Sequence, residues 1–225
     1  MTGLEDAVRL YESGRYAQAA NILTGLDEPA GDNPRSAYYL GLCYVKLEKY
    51  EEALIYLEQV VTSSEEILHV YQSRMLLGYI YTLTGRFGLA RFEFEKVLEM
   101  GFESVMTYSA LGFVAYSKKK IDESISYFER GVEMDGENAN ALNSLGYTLA
   151  ESGRDVPRAV DLCRRAVKKH PDYPPYMDSL GWALFQAGDL EEARSCLRKA
   201  LDGDSGNRTI AGHLKKVIEK IKSND

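Results

Sequence analysis

Apolar side chains recur at i, i+3, i+4 and i+7 from one end of the 225-residue chain to the other, and no alternating apolar and polar run is bounded by turns. That period predicts helices throughout and an all-α fold. Breakers interrupt the pattern at regular intervals, at Gly14-Arg15, Glu48-Lys49, Gly85-Arg86, Lys119-Lys120, Gly153-Arg154 and Gly188-Asp189. These short breaks separate the two helices of a pair, while Gly or Pro clusters separate one pair from the next. The chain therefore reads as helix hairpins in series.

Aligned on their first helices, the hairpins bring Ala7, Gly41, Gly78, Gly112, Gly146 and Gly181 into one column, spaced by 34, 37, 34, 34 and 35 residues. Glycine inside a helix costs about 1 kcal/mol relative to alanine, so a recurring small residue implies that two helices approach closely there. A second column, Ala19, Ala53, Ala90, Ser124, Ala159 and Ala193, puts small residues on the second helix. Four residues further on stand Leu23, Leu57, Phe94, Phe128, Cys163 and Leu197, so small should face large in each hairpin. A third column, Tyr16, Tyr50, Phe87, Ile121, Val156 and Leu190, is apolar throughout and opens each second helix as a plug between the pair.

With these columns, LGxxY at Leu40–Tyr44 and Leu77–Tyr81, and G-x-Y/F-x-x-A at Gly14–Ala19 and Gly85–Ala90, resemble the tetratricopeptide repeat over almost the whole chain. The resemblance implies a right-handed superhelical solenoid of six hairpins, about 1–33, 34–70, 71–104, 105–138, 139–173 and 174–207, in a single domain 1–225. Residues 208–222 follow as an amphipathic helix, with Ile210, Leu214, Val217 and Ile221 apolar, that covers the last exposed face. Departures are local. Three extra residues fall within Val61–Val70, where Ser63 and Glu66 match a capping box for the next helix. Asp155-Val156-Pro157 reads as an N-cap followed by a proline in the first turn, and the fourth repeat is the weakest, with Ser124 and Gly131 where alanine is usual. The stretch Leu142–Leu201 is similar to the last repeats of bacterial multi-repeat proteins, several of them lipid-anchored adaptors or envelope assembly factors, and suggests a bacterial source.

In such a solenoid the first helices line a concave groove. The residue after each column glycine then points into it: Leu42, Tyr79, Phe113, Tyr147 and Trp182. One turn on come Val45, Thr82, Tyr116, Ala150 and Phe185, and one turn earlier Tyr38, Met75, Ser109, Asn143 and Asp178. The wall is apolar and aromatic, with polar groups toward its C-terminal half. Each ring taken singly also suits packing of one first helix on the next, whereas as a row the rings offer large contact area at small rotamer cost. Asn143 and Asp178 are candidates to bond a ligand's backbone or basic side chains. One subclass of the family grips a C-terminal carboxylate with Lys, Asn and Arg; here Tyr38, Leu42 and Gln72 stand at those places, so no acidic-tail clamp is expected.

Charge narrows the partners. The formal net charge is −7, and residues 1–66 alone carry 12 acids and 5 bases. The densest basic cluster, Arg164, Arg165, Lys168 and Lys169, reads as a solvated helix face, which leaves no patch for nucleic acid. No apolar run approaches the roughly 18–20 residues that span a bilayer, and Met1-Thr2-Gly3-Leu4 opens no export signal. No direct membrane insertion is expected, and the location is cytoplasmic, or the bacterial envelope if an N-terminal signal or lipid anchor was removed. Cys43, Cys163 and Cys196 make no CxxC or CxxxC pair, and His69, His170 and His213 stand far apart, so neither a disulfide framework nor a metal site is expected.

Catalysis is tested by its motifs. The chain has no Gly-rich phosphate loop, no G-x-S-x-G and no ordered Cys/His motif. The pairs Glu51-Glu52, Asp122-Glu123 and Glu191-Glu192 recur in the first turn of a second helix, where acids complement the helix dipole. The sequence thus predicts a non-enzymatic scaffold or adaptor without cofactor, holding an apolar or amphipathic segment of a partner protein in its groove. The alternatives are a scaffold that self-associates into a homo-oligomer through the stripe or an end face, and a chaperone for a secreted or envelope protein.

Overall fold

The computed structural model describes residues 3–26 and 33–224. Met1 and Thr2, and most of the expected junction between the first two repeats near residue 33, lie outside the described residues. Among those described stand thirteen α-helices and no strand. They are α1 (Gly3–Glu12), α2 (Tyr16–Thr24), α3 (Pro34–Lys46), α4 (Tyr50–Ser63), α5 (Ile67–Leu83), α6 (Phe87–Glu99), α7 (Val105–Ser117), α8 (Ile121–Met134), α9 (Ala139–Glu151), α10 (Val156–Lys169), α11 (Pro174–Ala187), α12 (Leu190–Gly203) and α13 (Arg208–Lys222). Two compact units result: residues 1–103 with α1 to α6, and residues 104–225 with α7 to α13. Each unit holds three hairpins, an odd helix paired with the following even one, and in the second unit α13 packs on α12 and α11. The all-α repeat expectation agrees with this.

Local chemistry sets the boundaries. Inside each hairpin the turn residue, Gly14, Glu48, Gly85, Lys119, Gly153 or Gly188, takes a left-handed backbone with φ between 57° and 89°. Glu48 and Lys119 hold that shape at a cost of roughly 1–2 kcal/mol each, which the fixed hairpin geometry offsets. The third column marks the starts of the second helices, since Tyr16, Tyr50, Phe87, Ile121, Val156 and Leu190 are their first residues. Side chains cap α3, α7, α9 and α13, where Asn33, Ser104, Asn138 and Asn207 accept backbone N–H bonds. Asp155 caps α10 in the same way, with Pro157 behind it in the first turn. The expected capping box does not form. Glu66 is the N-cap of α5 and makes no side-chain cap bond, while Ser63 ends α4 and its Oγ donates to the Gln59 carbonyl at 2.8 Å. The longer α4 consumes Ser63, so the box has lost its first member.

Packing rests on the glycine column. A Cβ on Gly41 would lie 2.7 Å from Leu57 Cδ2, on Gly112 2.6 Å from Phe128 Cε1, on Gly146 2.6 Å from Cys163 Sγ and on Gly181 2.6 Å from Leu197 Cγ. Real Cβ atoms do not come that close, so the missing side chain is what admits the large residue from the second helix. Gly78 admits the Phe94 ring in the same way. The alanines of the second column are fully buried, and Ser124, their substitute in the weak fourth repeat, satisfies its hydroxyl by donating to the Gly112 carbonyl at 2.8 Å. In the second unit the buried core runs from Phe128 through Leu145, Leu162 and Leu184 to Ile210 and Val217 of α13.

Gly112→Ala should destabilise the fold by about 1–2 kcal/mol, overpacking against a stiff ring exceeding the gain in helix propensity. In Gly112→Ala with Phe128→Leu, urea denaturation should give a loss smaller than the sum of the two single losses, because the leucine vacates the space the new methyl needs.

Candidate functional site

The predicted wall residues fall on α3 and α5 in the first unit and on α7, α9 and α11 in the second. In the first unit Tyr38 is buried. It stacks on His69 with ring centroids 3.8 Å apart, its hydroxyl donates to Gln72, and burial pushes that hydroxyl up to about 12. Leu42 is half-buried against the cluster of Ala37, Tyr38 and Val60, and Met75 is half-buried as well. Tyr79 is open, together with Leu68 and Leu83 of the same helix. The periodic reading missed these two leucines because α5 is apolar around most of its circumference, so no polar face marks which side meets solvent.

In the second unit, α7, α9, α11 and the start of α13 surround a cleft of about 300 Å³. Five predicted residues meet there. Phe113 and Tyr116 come from α7, Asn143 and Tyr147 from α9, and Asp178 from α11. Ser144, Thr148, Pro175 and Ser179 complete the helical walls, and Asn207, Thr209 and Ile210 close one side. Phe113 at the rim is 51% exposed, and Met106, two turns before it on α7, is also open. The Tyr116 and Tyr147 rings meet edge to face at 6.2 Å. Burial raises both hydroxyls above the usual phenol range; for Tyr147 the neighbouring Tyr116 and the carboxylates of Glu151 and Asp178 add to it. No Lys or Arg lines the cleft.

The far end is closed by α13. Its His213 lies with Nδ1 2.9 Å from Asp178 Oδ1 and stacks on Trp182 at 4.2 Å, and Lys216 sits 4.8 Å above the same indole. Trp182 donates from Nε1 to Glu151 Oε2 at 2.6 Å and stacks on the half-buried Phe185. Only 4% of Trp182 is exposed, so the ring expected on an open wall lies beneath the capping helix. His213, Glu151 and Lys216 were not among the predicted site residues. The amphipathic pattern of residues 208–222 signalled a cap but not which aromatic it would land on.

Nucleophile and metal chemistry have a weak footing in this arrangement. All three cysteines are buried, and burial pushes the Cys43 and Cys163 thiols up to about 11 and about 12. Among the described residues, no group of three or more His, Cys, Asp or Glu side chains is placed to hold a metal ion. No helix among them is long and apolar enough to cross a membrane.

Comparison with known proteins follows the same pattern. Three family models described as tetratricopeptide repeat match residues 71–100, 110–174 and 176–203, together over half of the chain. A fourth, for anaphase-promoting complex, cyclosome, subunit 3, matches residues 6–60. A TPR repeat-containing protein of Pseudomonas aeruginosa is 41% identical over 78 residues, which is 35% of this chain and 13% of that protein. Heat shock protein STI1 of Saccharomyces cerevisiae is 28% identical over 110 residues, 49% of this chain and 19% of that one. The chain thus matches only a minor part of the length of these relatives. Among solved structures, YrrB, a TPR protein with an unusual peptide-binding site, superposes with a TM-score of 0.62 at 21% identity, over 80% of this chain and 91% of that one. The MamA protein gives 0.64 at 18% identity, over 78% and 93%. At such identities the likeness is one of fold.

Two measurements probe the buried groups. Because raised thiol pKa values leave little thiolate, native protein at pH 8 should resist iodoacetamide and take up three equivalents only on unfolding, read by mass spectrometry. Val217→Asp, which places an unpaired charge at a fully buried position of α13, should release the cap and shift the emission of Trp182, the single tryptophan, to the red.

Proposed function

We infer that this chain, which belongs to the tetratricopeptide-repeat family, is a protein-interaction scaffold that holds an apolar or amphipathic segment of a partner on the first helices of its second unit. The observation that carries this assignment is the cleft. Its rim is an exposed Phe113, its walls hold two tyrosines, and its lining includes Asn143, whose Oδ1 is buried without a hydrogen-bond partner among the described residues. An orphan acceptor costs roughly 1–3 kcal/mol in a folded protein, and a donor brought by a ligand would recover that cost. Large, rigid rings beside it supply contact area with little rotamer entropy to lose. Asn143 and Asp178 give the segment its polar register, and Tyr116 and Tyr147 its apolar seat; in the first unit, Tyr79 with Leu68 and Leu83 offers a second apolar patch. A neighbour of the same fold, YrrB, has a peptide-binding site. No catalysis is assigned to the chain.

Affinity capture from cells of the native source tests the assignment. Phe113→Ser, at an exposed position that leaves the core intact, should weaken recovery of the captured partner by roughly 30-fold if the ring is a hot spot worth about 2 kcal/mol. Unchanged recovery with unchanged circular dichroism would remove the cleft as the binding surface.

A further inference from the structure

The cleft of the second unit is unusual in what it lacks. Its polar lining is made of hydroxyls and carboxamides with one carboxylate and no lysine or arginine. Asn143 Oδ1 is buried and has no hydrogen-bond partner among the described residues, and Asp178 meets His213 through Oδ1. The same cleft is lined by the edge-to-face pair of Tyr116 and Tyr147, with Phe113 at the mouth. A carboxylate, a free amide oxygen and aromatic faces around one opening suit a planar group that only donates hydrogen bonds, carries positive charge and stacks on rings. Among protein side chains that is the guanidinium of arginine, whereas lysine offers a compact, strongly hydrated point charge with no plane to stack.

We propose that the cleft is a receptor for an arginine side chain of the bound segment, the guanidinium donating to Asp178 and Asn143 and lying against the tyrosine rings. This rests on the assignment of the first helices as the binding surface and adds the chemical class of residue that the partner must present. It turns an otherwise apolar contact into a selective one, since an uncharged segment would leave both acceptors desolvated and unpaired.

Nuclear magnetic resonance titration of the full chain tests the proposal with three probes: N-acetyl-arginine methylamide, the isosteric but uncharged citrulline analogue, and free arginine. The blocked arginine should move the Asn143 side-chain amide resonances and the tyrosine ring signals, and should bind about tenfold or more tightly than citrulline, as a charge-assisted hydrogen bond requires. Asp178→Asn should erase that preference. Should that variant also loosen α13, seen as a red shift of Trp182 emission, Asn143→Leu replaces it, leaves the His213 contact in place, and should weaken the arginine probe. Equal binding of arginine and citrulline, or shifts confined to the acidic first unit, would overturn the proposal, and so would free arginine binding more tightly than the blocked form, which would point to a metabolite instead of a protein segment. If the arginine preference fails while Phe113→Ser still abolishes capture, the apolar binding surface stands and only its cation selectivity falls.

Discussion

The close approach of the two helices in each hairpin is the constraint on which the rest depends. It is made possible by the absence of one methyl group. Where Gly41, Gly112 or Gly181 faces a large residue of the second helix, a β-carbon would lie closer than atoms tolerate. The cost of glycine in a helix, about 1 kcal/mol, is thus offset by burial of a whole leucine or phenylalanine against the opposite backbone, worth roughly 1.5–3 kcal/mol. With the hairpins of the second unit set this way, its first helices come side by side, and their side chains are free to serve another purpose.

Stacking leaves a second problem, the open face at the end of the array. In the second unit α13 meets it with Ile210 and Val217, which join the core of the last hairpin. Covering that face also decides the fate of the aromatic row. Trp182 becomes part of the seal, sandwiched by His213 and Phe185, and Asp178 is half-engaged by the same histidine. Tyr147, whose ring meets His213 of the cap at 6.5 Å, and Tyr116, one first helix further away, line the cleft. A continuous stripe in sequence is therefore divided into a structural part and an available part.

Electrostatics follow from the same division. Charge pairs tie neighbouring repeats together at the surface, among them Arg158 with Glu129 and Arg164 with Glu192 in the second unit, and Arg35 with Glu5 in the first. Exposed pairs of this kind contribute little each. The cleft, by contrast, is lined by no lysine or arginine.

Period, breakers and columns determined the helices, their pairing, the turn positions and the capping segment, because each is set by contacts within about 35 residues that repeat six times over. Even the first residues of the second helices, from Tyr16 to Leu190, were legible. The capping box at Ser63 and Glu66 was not, since whether α4 or α5 claims a polar residue depends on where packing ends a helix. The candidate site was legible as a set of positions but not as a surface. Exposure of Phe113, burial of Tyr38 and Trp182, and the unpaired oxygen of Asn143 arise from which neighbour lies over each side chain. A helical period states which face of a helix points inward, and only the packed chain decides what waits there.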